Sequence, residues 1–265
     1  MELAGRIGGA TLDALAYVGG LTRLGARAGY FALVAPFRGR ALRLDRAVHQ
    51  AMAVGVGALP ILSLISFFIG LILALQGAYE LKKFGALNFV ASAVAITMTR
   101  ELGPLITAVV VIGRSGSAFA AEIGTMKVTE EIDALETMAL DPVQFLVTPK
   151  FLAMALMLPC LTTWADTMGV LGGALFGVTG AGFSFTGYMH ATLSALFLRD
   201  IFGGLIKSVM FGVTITAVGC YEGFRTGAGA EEVGRSTTAA VVTSIFLVIL
   251  VDLVFTSLFY FVETR

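Results

Sequence analysis

Long apolar runs are the feature that most constrains this chain. Runs of about 20 or more apolar residues recur along the sequence, and a helix of that length crosses roughly 30 Å of hydrocarbon. Of the 265 residues, 57% are hydrophobic and only 14% are charged, too few to cover the surface of a soluble domain of this size. We therefore predict an all-α integral membrane protein. The formal net charge of zero argues against a nucleic-acid partner.

The chain divides into a short lead-in segment and a membrane domain. Residues 1–48 carry seven arginines against three acids, and we predict an amphipathic helix lying in the membrane interface on the cytoplasmic side. Residues 49–265 contain the five predicted transmembrane helices. The predicted spans cover about residues 52–79, 87–112, 148–178, 197–220 and 237–261.

The distribution of basic residues predicts the orientation in the membrane. Five spans place the two termini on opposite sides. With the N-terminus inside, the cytoplasmic segments hold twelve Lys and Arg residues and the outer segments hold four. The positive-inside rule thus predicts a cytoplasmic N-terminus and a periplasmic C-terminus, with a bacterial inner membrane as the default location.

Several charged residues fall deep inside the predicted spans. On insertion scales, each would cost about 2.5–3.5 kcal/mol at the centre of a bilayer. These side chains should therefore face protein or water and find partners. Two roles stay open, since the charges could hold helices together or could line a polar pathway through an apolar cavity. The residues are Arg100, Glu101, Asp166, Lys207 and Asp252.

Depth along the helices predicts one ion pair among these charges. The fourth and fifth spans run antiparallel around a loop centred near residue 229. Lys207 lies 22 residues before that centre and Asp252 lies 23 after it. At 1.5 Å per residue the two side chains sit at nearly the same height, so we predict that they pair.

An acidic amphipathic segment follows the second span. A Gly/Ser-rich stretch at 113–117 is predicted to turn the chain out of the membrane, and a helix of about 127–138 follows, ended by Asp141-Pro142. Its predicted apolar stripe comprises Val128, Ile132, Leu135 and Ala139. Its charged positions are Lys127, Glu130, Glu131, Asp133 and Glu136, a net charge of minus three.

The negative charge of this segment bears on whether it binds the membrane or a soluble protein. Anionic lipid would repel it on the cytoplasmic side. Docking into a groove of a soluble protein therefore fits the pattern better than membrane binding. A solvated helix with no partner is the other possibility.

Motifs for independent catalysis are missing from the sequence. There is no Gly-x-x-x-x-Gly-Lys-Ser/Thr phosphate loop, so we expect no nucleotide hydrolysis by this chain. No Cys/His cluster has the spacing of metal ligands, and we predict neither a metal nor another cofactor.

Small residues recur at helical spacing in two spans. Gly169, Gly173 and Gly177 repeat every four residues, which lets two helix backbones approach closely in lipid. The same spacing relates Gly204, Ser208 and Gly212. Packing within one bundle is the favoured interpretation, with a subunit interface as the alternative.

The charged region resembles the MlaE-type permeases, membrane subunits of ABC transporters that work with MCE-domain proteins on lipids. The resemblance extends from about residue 50 to the C-terminus, and its motif is long and ordered. It is carried by Arg100-Glu101-Leu102-Gly103-Pro104, by the stretches 113–117, 121–136 and 138–142, by Ile206-Lys207-Ser208 and by the closing span with Asp252.

The resemblance implies a set of partners and a site. It implies a homodimer in which each copy binds one cytoplasmic ATPase through a coupling helix at about 127–138. It also implies an MCE-domain hexamer on the periplasmic side. Phospholipid or a related lipid would occupy a cavity between the two copies, lined by the first, second and fifth spans. By position, the polar residues of that cavity are Arg100, Glu101, Lys207 and Asp252, with Gln76 as a further wall residue.

Two other functions are compatible with the sequence. A stand-alone, ion-coupled carrier would use Glu101 and Asp252 as proton sites, and its transport would follow a pH gradient without ATP. A non-transporting scaffold would anchor soluble partners, and filling its cavity would have no effect.

Overall fold

The structure is a computed structural model. It describes the backbone of residues 2–34 and 44–263 and, within these ranges, the side chains from residue 11 onward except 13, 14, 33, 262 and 263. The described residues form helices, turns and loops, without a strand. The helices are α1 (Glu2–Gly29), α2 (Leu44–Lys83), α3 (Leu87–Val128), α4 (Glu131–Thr137), α5 (Val143–Thr179), α6 (Phe185–Ala195), α7 (Leu198–Arg225) and α8 (Ala230–Glu263).

Five of these helices are long and apolar enough to cross a membrane, namely α2, α3, α5, α7 and α8. The prediction of an all-α membrane protein with five spans is confirmed. Four of the predicted spans lie inside one of these helices, the fourth begins one residue before α7, and every helix is longer than the span predicted for it.

Glycines set the spacing between α2, α3 and α5. Gly70 of α2 packs directly on the backbone of Gly169 of α5, and a Cβ atom at Gly70 would overlap that backbone. Met98 and Val94 of α3 fill the space beside Gly169 and Gly173 of α5. The glycine stripe of α5 therefore serves packing within one subunit, as the favoured interpretation predicted.

Helix α7 packs against α3 and α5 through the second small-residue stripe. Gly204 lies on the carbonyl of Thr99, and Gly212 lies on the carbonyl of Met154. Ser208, between them, is fully buried. A helical hydrogen bond from residue 104 to the Thr99 carbonyl, five residues earlier, cannot form because Pro104 has no amide hydrogen. Gly204 approaches this carbonyl closely and places a neighbouring backbone beside it.

The predicted turn at 113–117 is wrong. Residues Ile112–Gly116 form a π-helical segment, and the helix continues to Val128. The small residues are used for packing, since Gly116 is buried against Ile215 and Gly219 lies on the Gly116 carbonyl. A second π-helical segment, Met98–Leu102, lies earlier in α3. Such segments occur mostly as single turns inside α-helices and are frequent at functional sites.

The single helix predicted at about 127–138 is divided in two. Lys127 belongs to the last turn of α3, and the chain bends at Thr129-Glu130, where Glu130 has a φ of 60°. Helix α4 then covers Glu131–Thr137. The side chain of Asp141 accepts a hydrogen bond from the Val143 amide at 2.9 Å, which begins the next helix. The left-handed backbone conformation of Glu130 lets α4 leave the axis of α3.

Helix α1 packs on the end of the bundle where α7 finishes. The Tyr17 hydroxyl donates a 2.6 Å hydrogen bond to Glu222, and Arg27 forms a 2.7 Å ion pair with Asp141. Burial, together with the hydrogen bond to Glu222 and its negative charge, raises the pKa of Tyr17 well above its usual value. The predicted lead-in segment is thus helical through residue 34, and its residues 35–43 lie outside the described part of the chain.

Candidate functional site

A charged cavity lies between α3, α7 and α8. Its volume is about 620 Å³. One part of its wall is ionic and another part is aromatic. The lining residues are Arg100, Glu101, Arg199, Asp200, Phe202, Gly203, Gly204, Ile206, Lys207, Thr256, Phe259 and Tyr260.

Lys207 is the central cation of this site. Its side chain is only 1% exposed, and its ammonium group lies 2.6 Å from Glu101 Oε2 on α3. It also lies 3.1 Å from Asp252 Oδ1 on α8, so the predicted Lys207–Asp252 ion pair is confirmed. Lys207 donates a further hydrogen bond of 2.8 Å to the Thr256 hydroxyl, which in turn donates to Glu101 at 3.1 Å.

This arrangement resolves how a lysine is tolerated at membrane depth. One buried ammonium group faces two carboxylates and a hydroxyl, so its charge is compensated, and it donates hydrogen bonds to Glu101 and Thr256. The contact with Asp252 is an ion contact without hydrogen-bond geometry, because Asp252 Oδ1 has no hydrogen-bond partner in the protein. Three helices are therefore joined at one point.

Arg100 pairs with Asp200, a residue that the sequence analysis did not single out. Its Nε and Nη2 atoms lie 2.7 Å and 2.6 Å from Asp200 Oδ1, and the Asp200 side chain is 1% exposed. The other oxygen of Asp200 accepts the Phe197 amide at 2.9 Å, closing the first turn of α7. The sequence signal for Asp200 was an acidic residue near the start of a helix. Such a residue indicates a helix cap, and it does not identify a partner for Arg100.

The structure places Gln76 and Asp166, two residues singled out in the sequence analysis, outside this cavity. Gln76 lies exposed on α2 and does not line the cavity of this chain. The cavity of the single chain is lined by the second, fourth and fifth spans, and α2 packs along α5 on another side of the bundle. The cavity predicted between two copies, lined by the first, second and fifth spans, stays a prediction. Asp166 of α5 also lies away from the cavity, against Gly103 of α3.

The predicted coupling residues form a second surface, centred on α4. Glu130, Glu131, Asp133 and Glu136 are all exposed. The apolar positions Ile132 and Leu135 are each only 7% exposed and pack on the protein's own bundle. The acidic side is therefore accessible, whereas Ile132 and Leu135, two of the four residues of the predicted apolar stripe, are not available as a docking surface.

Lys127 is turned away from this acidic surface toward α7. Its ammonium group donates a 2.5 Å hydrogen bond to the carbonyl of Phe224, in the last turn of α7. A cation at the C-terminus of a helix is stabilised by the helix dipole. Lys127 thus links the end of α3, next to α4, to the helix that carries Lys207.

Five helices able to span a membrane, three of which line a charged, partly aromatic cavity, define a multi-pass helical membrane protein. A profile of the MlaE permeases, described as Permease MlaE, matches residues 47–258. A probable ABC transporter permease protein of Rickettsia typhi is 41% identical over 219 residues, covering 83% of this chain and 85% of the relative.

Two further relatives carry more specific names. The intermembrane phospholipid transport system permease protein MlaE of Haemophilus influenzae is 37% identical over 216 residues, with 80% of this chain and 82% of the relative covered. The chloroplastic protein TRIGALACTOSYLDIACYLGLYCEROL 1 of Arabidopsis thaliana is 38% identical over 213 residues, covering 80% and 61%. The chain belongs to the MlaE permease family.

Proposed function

We propose that this chain is the permease subunit of an ATP-driven transporter of phospholipid or a related lipid. The observation that carries the proposal is the cavity between α3, α7 and α8, which combines cations with aromatic side chains. Arg100 and Arg199, which both lie within 4 Å of the single carboxylate of Asp200, supply guanidinium groups suited to an anionic head group. Phe202, Phe259 and Tyr260 supply an apolar wall suited to acyl chains. A polar site for a water-soluble substrate would not need that wall.

A second copy of the chain would complete the site. The family resemblance implies a homodimer with its lipid between the two copies. In support, α2 and α8 each present a long row of exposed apolar side chains, including Phe68 and Ile72 on α2 and Phe246 and Leu253 on α8. In this arrangement the cavity of one subunit faces that of its partner. Gln76, on α2, then becomes a candidate wall residue of the joint cavity.

The acidic surface of α4 is the proposed docking site for a cytoplasmic ATPase. Ile132 and Leu135 fix α4 to the bundle, so a force on its outer carboxylates is transmitted to α3. The Lys127–Phe224 hydrogen bond carries the same displacement to α7. Closure of two ATPase subunits would thereby narrow the cavity. The lipid must fit one cavity shape better than the other, since a ligand with equal affinity for both shifts nothing.

The family and the distribution of basic residues support the remaining parts of the proposal, which are the orientation, the location and the periplasmic partner. The N-terminus lies in the cytoplasm of a bacterium, the C-terminus on the periplasmic side of the inner membrane, and a periplasmic MCE-domain protein receives or delivers the lipid. Hydrolysis of ATP belongs to the partner. The excess of basic residues in the cytoplasmic segments supports this orientation.

Native mass spectrometry of the detergent-purified complex tests the proposal. We expect a dimer of this chain with two ATPase subunits and bound phospholipid. Arg100→Ala should reduce the bound lipid. Arg235→Ala should not, because Arg235 is exposed near the start of α8 and pairs only locally with Glu232. A complex that contains no lipid, or one in which both variants retain equal amounts, would contradict the cavity assignment.

A further inference from the structure

A group of buried oxygen atoms lies where α2, α3 and α5 meet, outside the proposed lipid cavity. Among the described residues, eight buried side-chain oxygen atoms have no hydrogen-bond partner in the protein, and four of them belong to this junction. They are Ser66 Oγ, Thr107 Oγ1, Thr162 Oγ1 and Asp166 Oδ1. The three hydroxyl residues are at most 1% exposed.

Contacts between the helices bring these four residues within about one helical turn of one another. Asp166 of α5 touches Gly103 of α3, where a Cβ atom would overlap its Oδ1. Thr107 lies one turn after Gly103, and Thr162 lies one turn before Asp166 on the antiparallel helix. Residues four apart share a helix face, so both hydroxyls face the same contact.

The third helix reaches the same place. Gly70 of α2 packs on Gly169, which lies one turn beyond Asp166, and Trp164 of α5 donates a 2.7 Å hydrogen bond to Ser63 of α2. Ser66 lies between Ser63 and Gly70 in height and one turn from Gly70 on the same face. Three hydroxyls and one carboxyl group, from three helices, are therefore placed on the buried sides of α2, α3 and α5 within about one helical turn of one another.

The charge at this junction is not balanced by the protein. Among the described residues, no Lys, Arg or His forms an ion pair with Asp166, whereas Glu101, Asp200 and Asp252 all have cationic partners. An uncompensated carboxylate at membrane depth is strongly unfavourable. Buried hydroxyls without partners add to that cost.

We propose that this junction binds one monovalent cation, with sodium the ion expected. The carboxylate of Asp166 neutralises the charge, and the hydroxyl oxygens of Ser66, Thr107 and Thr162 complete a set of hard oxygen ligands. A divalent ion would leave a net positive charge in an apolar bundle. A proton on Asp166 would neutralise the carboxylate and leave the oxygen atoms of three helices without a common partner.

Binding of ²²Na⁺ to the full-length purified protein in detergent tests this inference. The assay needs no ATPase and no lipid transport, so its failure leaves the proposed function untouched. We expect saturable binding of one sodium ion per chain in a choline chloride background. Asp166→Asn should abolish it, and Thr162→Val should weaken it at least tenfold. Sodium should also raise the melting temperature of the wild type, compared with choline at equal ionic strength.

The neighbouring Thr163→Val substitution is the matched control. Thr163 is exposed, and its hydroxyl donates to the carbonyl of Cys160 within its own helix, so sodium binding should be unchanged. Equal binding by wild type and monodisperse Asp166→Asn would overturn the inference. If Asp166→Asn does not fold, equal weakening by Thr162→Val and Thr163→Val would overturn it as well. Absence of binding in the wild type would mean that Asp166 is held by a proton or water, and the cation site would be rejected.

Discussion

Lys207 of α7 and Glu101 of α3 form a 2.6 Å ion pair on the wall of the cavity, although they are 106 residues apart in the sequence. Asp252 of α8 lies against the same ammonium group at 3.1 Å. The position of the fourth span relative to the second and fifth is thus fixed by one buried cation. A movement of α3 driven from the cytoplasmic side would change this contact directly, which is how the site and the motor would be coupled.

Removing Lys207 should harm folding more than removing Asp252. Lys207→Met leaves both carboxylates without their shared cation, and we expect it to lower the free energy of unfolding by about 3 kcal/mol. Asp252→Asn keeps the Lys207–Glu101 pair and should have a much smaller effect. Thermal unfolding of the purified variants measures both. Equal losses in the two variants would contradict the central role of Lys207.

The same site should separate folding from transport. Replacing Lys207, Asp252 and Glu101 together by Met, Leu and Gln removes the cation and both carboxylates that face it, so that no carboxylate is left without its partner. A protein that folds normally but no longer transports lipid supports a role of these charges in the lipid pathway. Normal folding with unchanged transport, measured in proteoliposomes with the ATPase, would show that these charges serve only to hold the helices together.

Charge reversal on α4 should detach the ATPase. We expect Glu131→Lys combined with Glu136→Lys to abolish copurification of the ATPase while membrane insertion stays normal, because both carboxylates are exposed on the proposed docking surface. Wild-type binding should also weaken as salt is raised, as for exposed charges generally. Glu80→Lys is the control, since Glu80 is an exposed glutamate at the other end of the bundle. Unchanged affinity in the α4 variant would show that the ATPase binds elsewhere.

Two glycines of α2 should respond oppositely to alanine. A methyl group at Gly70 would overlap the backbone of Gly169, whereas one at Gly77 would meet no atom within 4 Å. We expect Gly70→Ala to destabilise the protein by about 1–3 kcal/mol through overpacking. Gly77→Ala should stabilise it by about 0.5–1 kcal/mol through helix propensity. Melting temperatures that shift in the same direction would refute the close α2–α5 contact.

Docking of α1 should depend on Tyr17 and on pH. Tyr17→Phe removes a hydrogen bond to the buried Glu222 and should cost about 1.5 kcal/mol. The raised pKa of Tyr17 means that its contribution is fully present below its ordinary value of about 10 and is lost as the pH rises above it. Thermal unfolding at pH 8 and pH 10.5 should show this loss in the wild type and less of it in Tyr17→Phe. Thr22→Val, an exposed position of α1, should behave like the wild type.

Hydrophobicity and helix length predicted the five spans and the Lys207–Asp252 pair, because burial in lipid and depth along a helix follow directly from sequence. Rotation about the helix axis does not follow, and Glu101 was therefore not assigned to Lys207. The structural role of small residues is ambiguous for a related reason. Gly116 fits a turn as well as it fits a close helix contact, and only the neighbouring α7 decides between them. Likewise, the apolar side of α4 could cover its own bundle or a partner.

The most direct test of the whole account is lipid transfer in proteoliposomes that contain a fluorescent phospholipid. The purified permease alone should move no lipid, with or without a pH gradient. Addition of its ATPase with ATP should start transfer, and a non-hydrolysable analogue should not sustain it. Transfer by the permease alone, driven by the pH gradient without nucleotide, would contradict the account and favour an ion-coupled carrier.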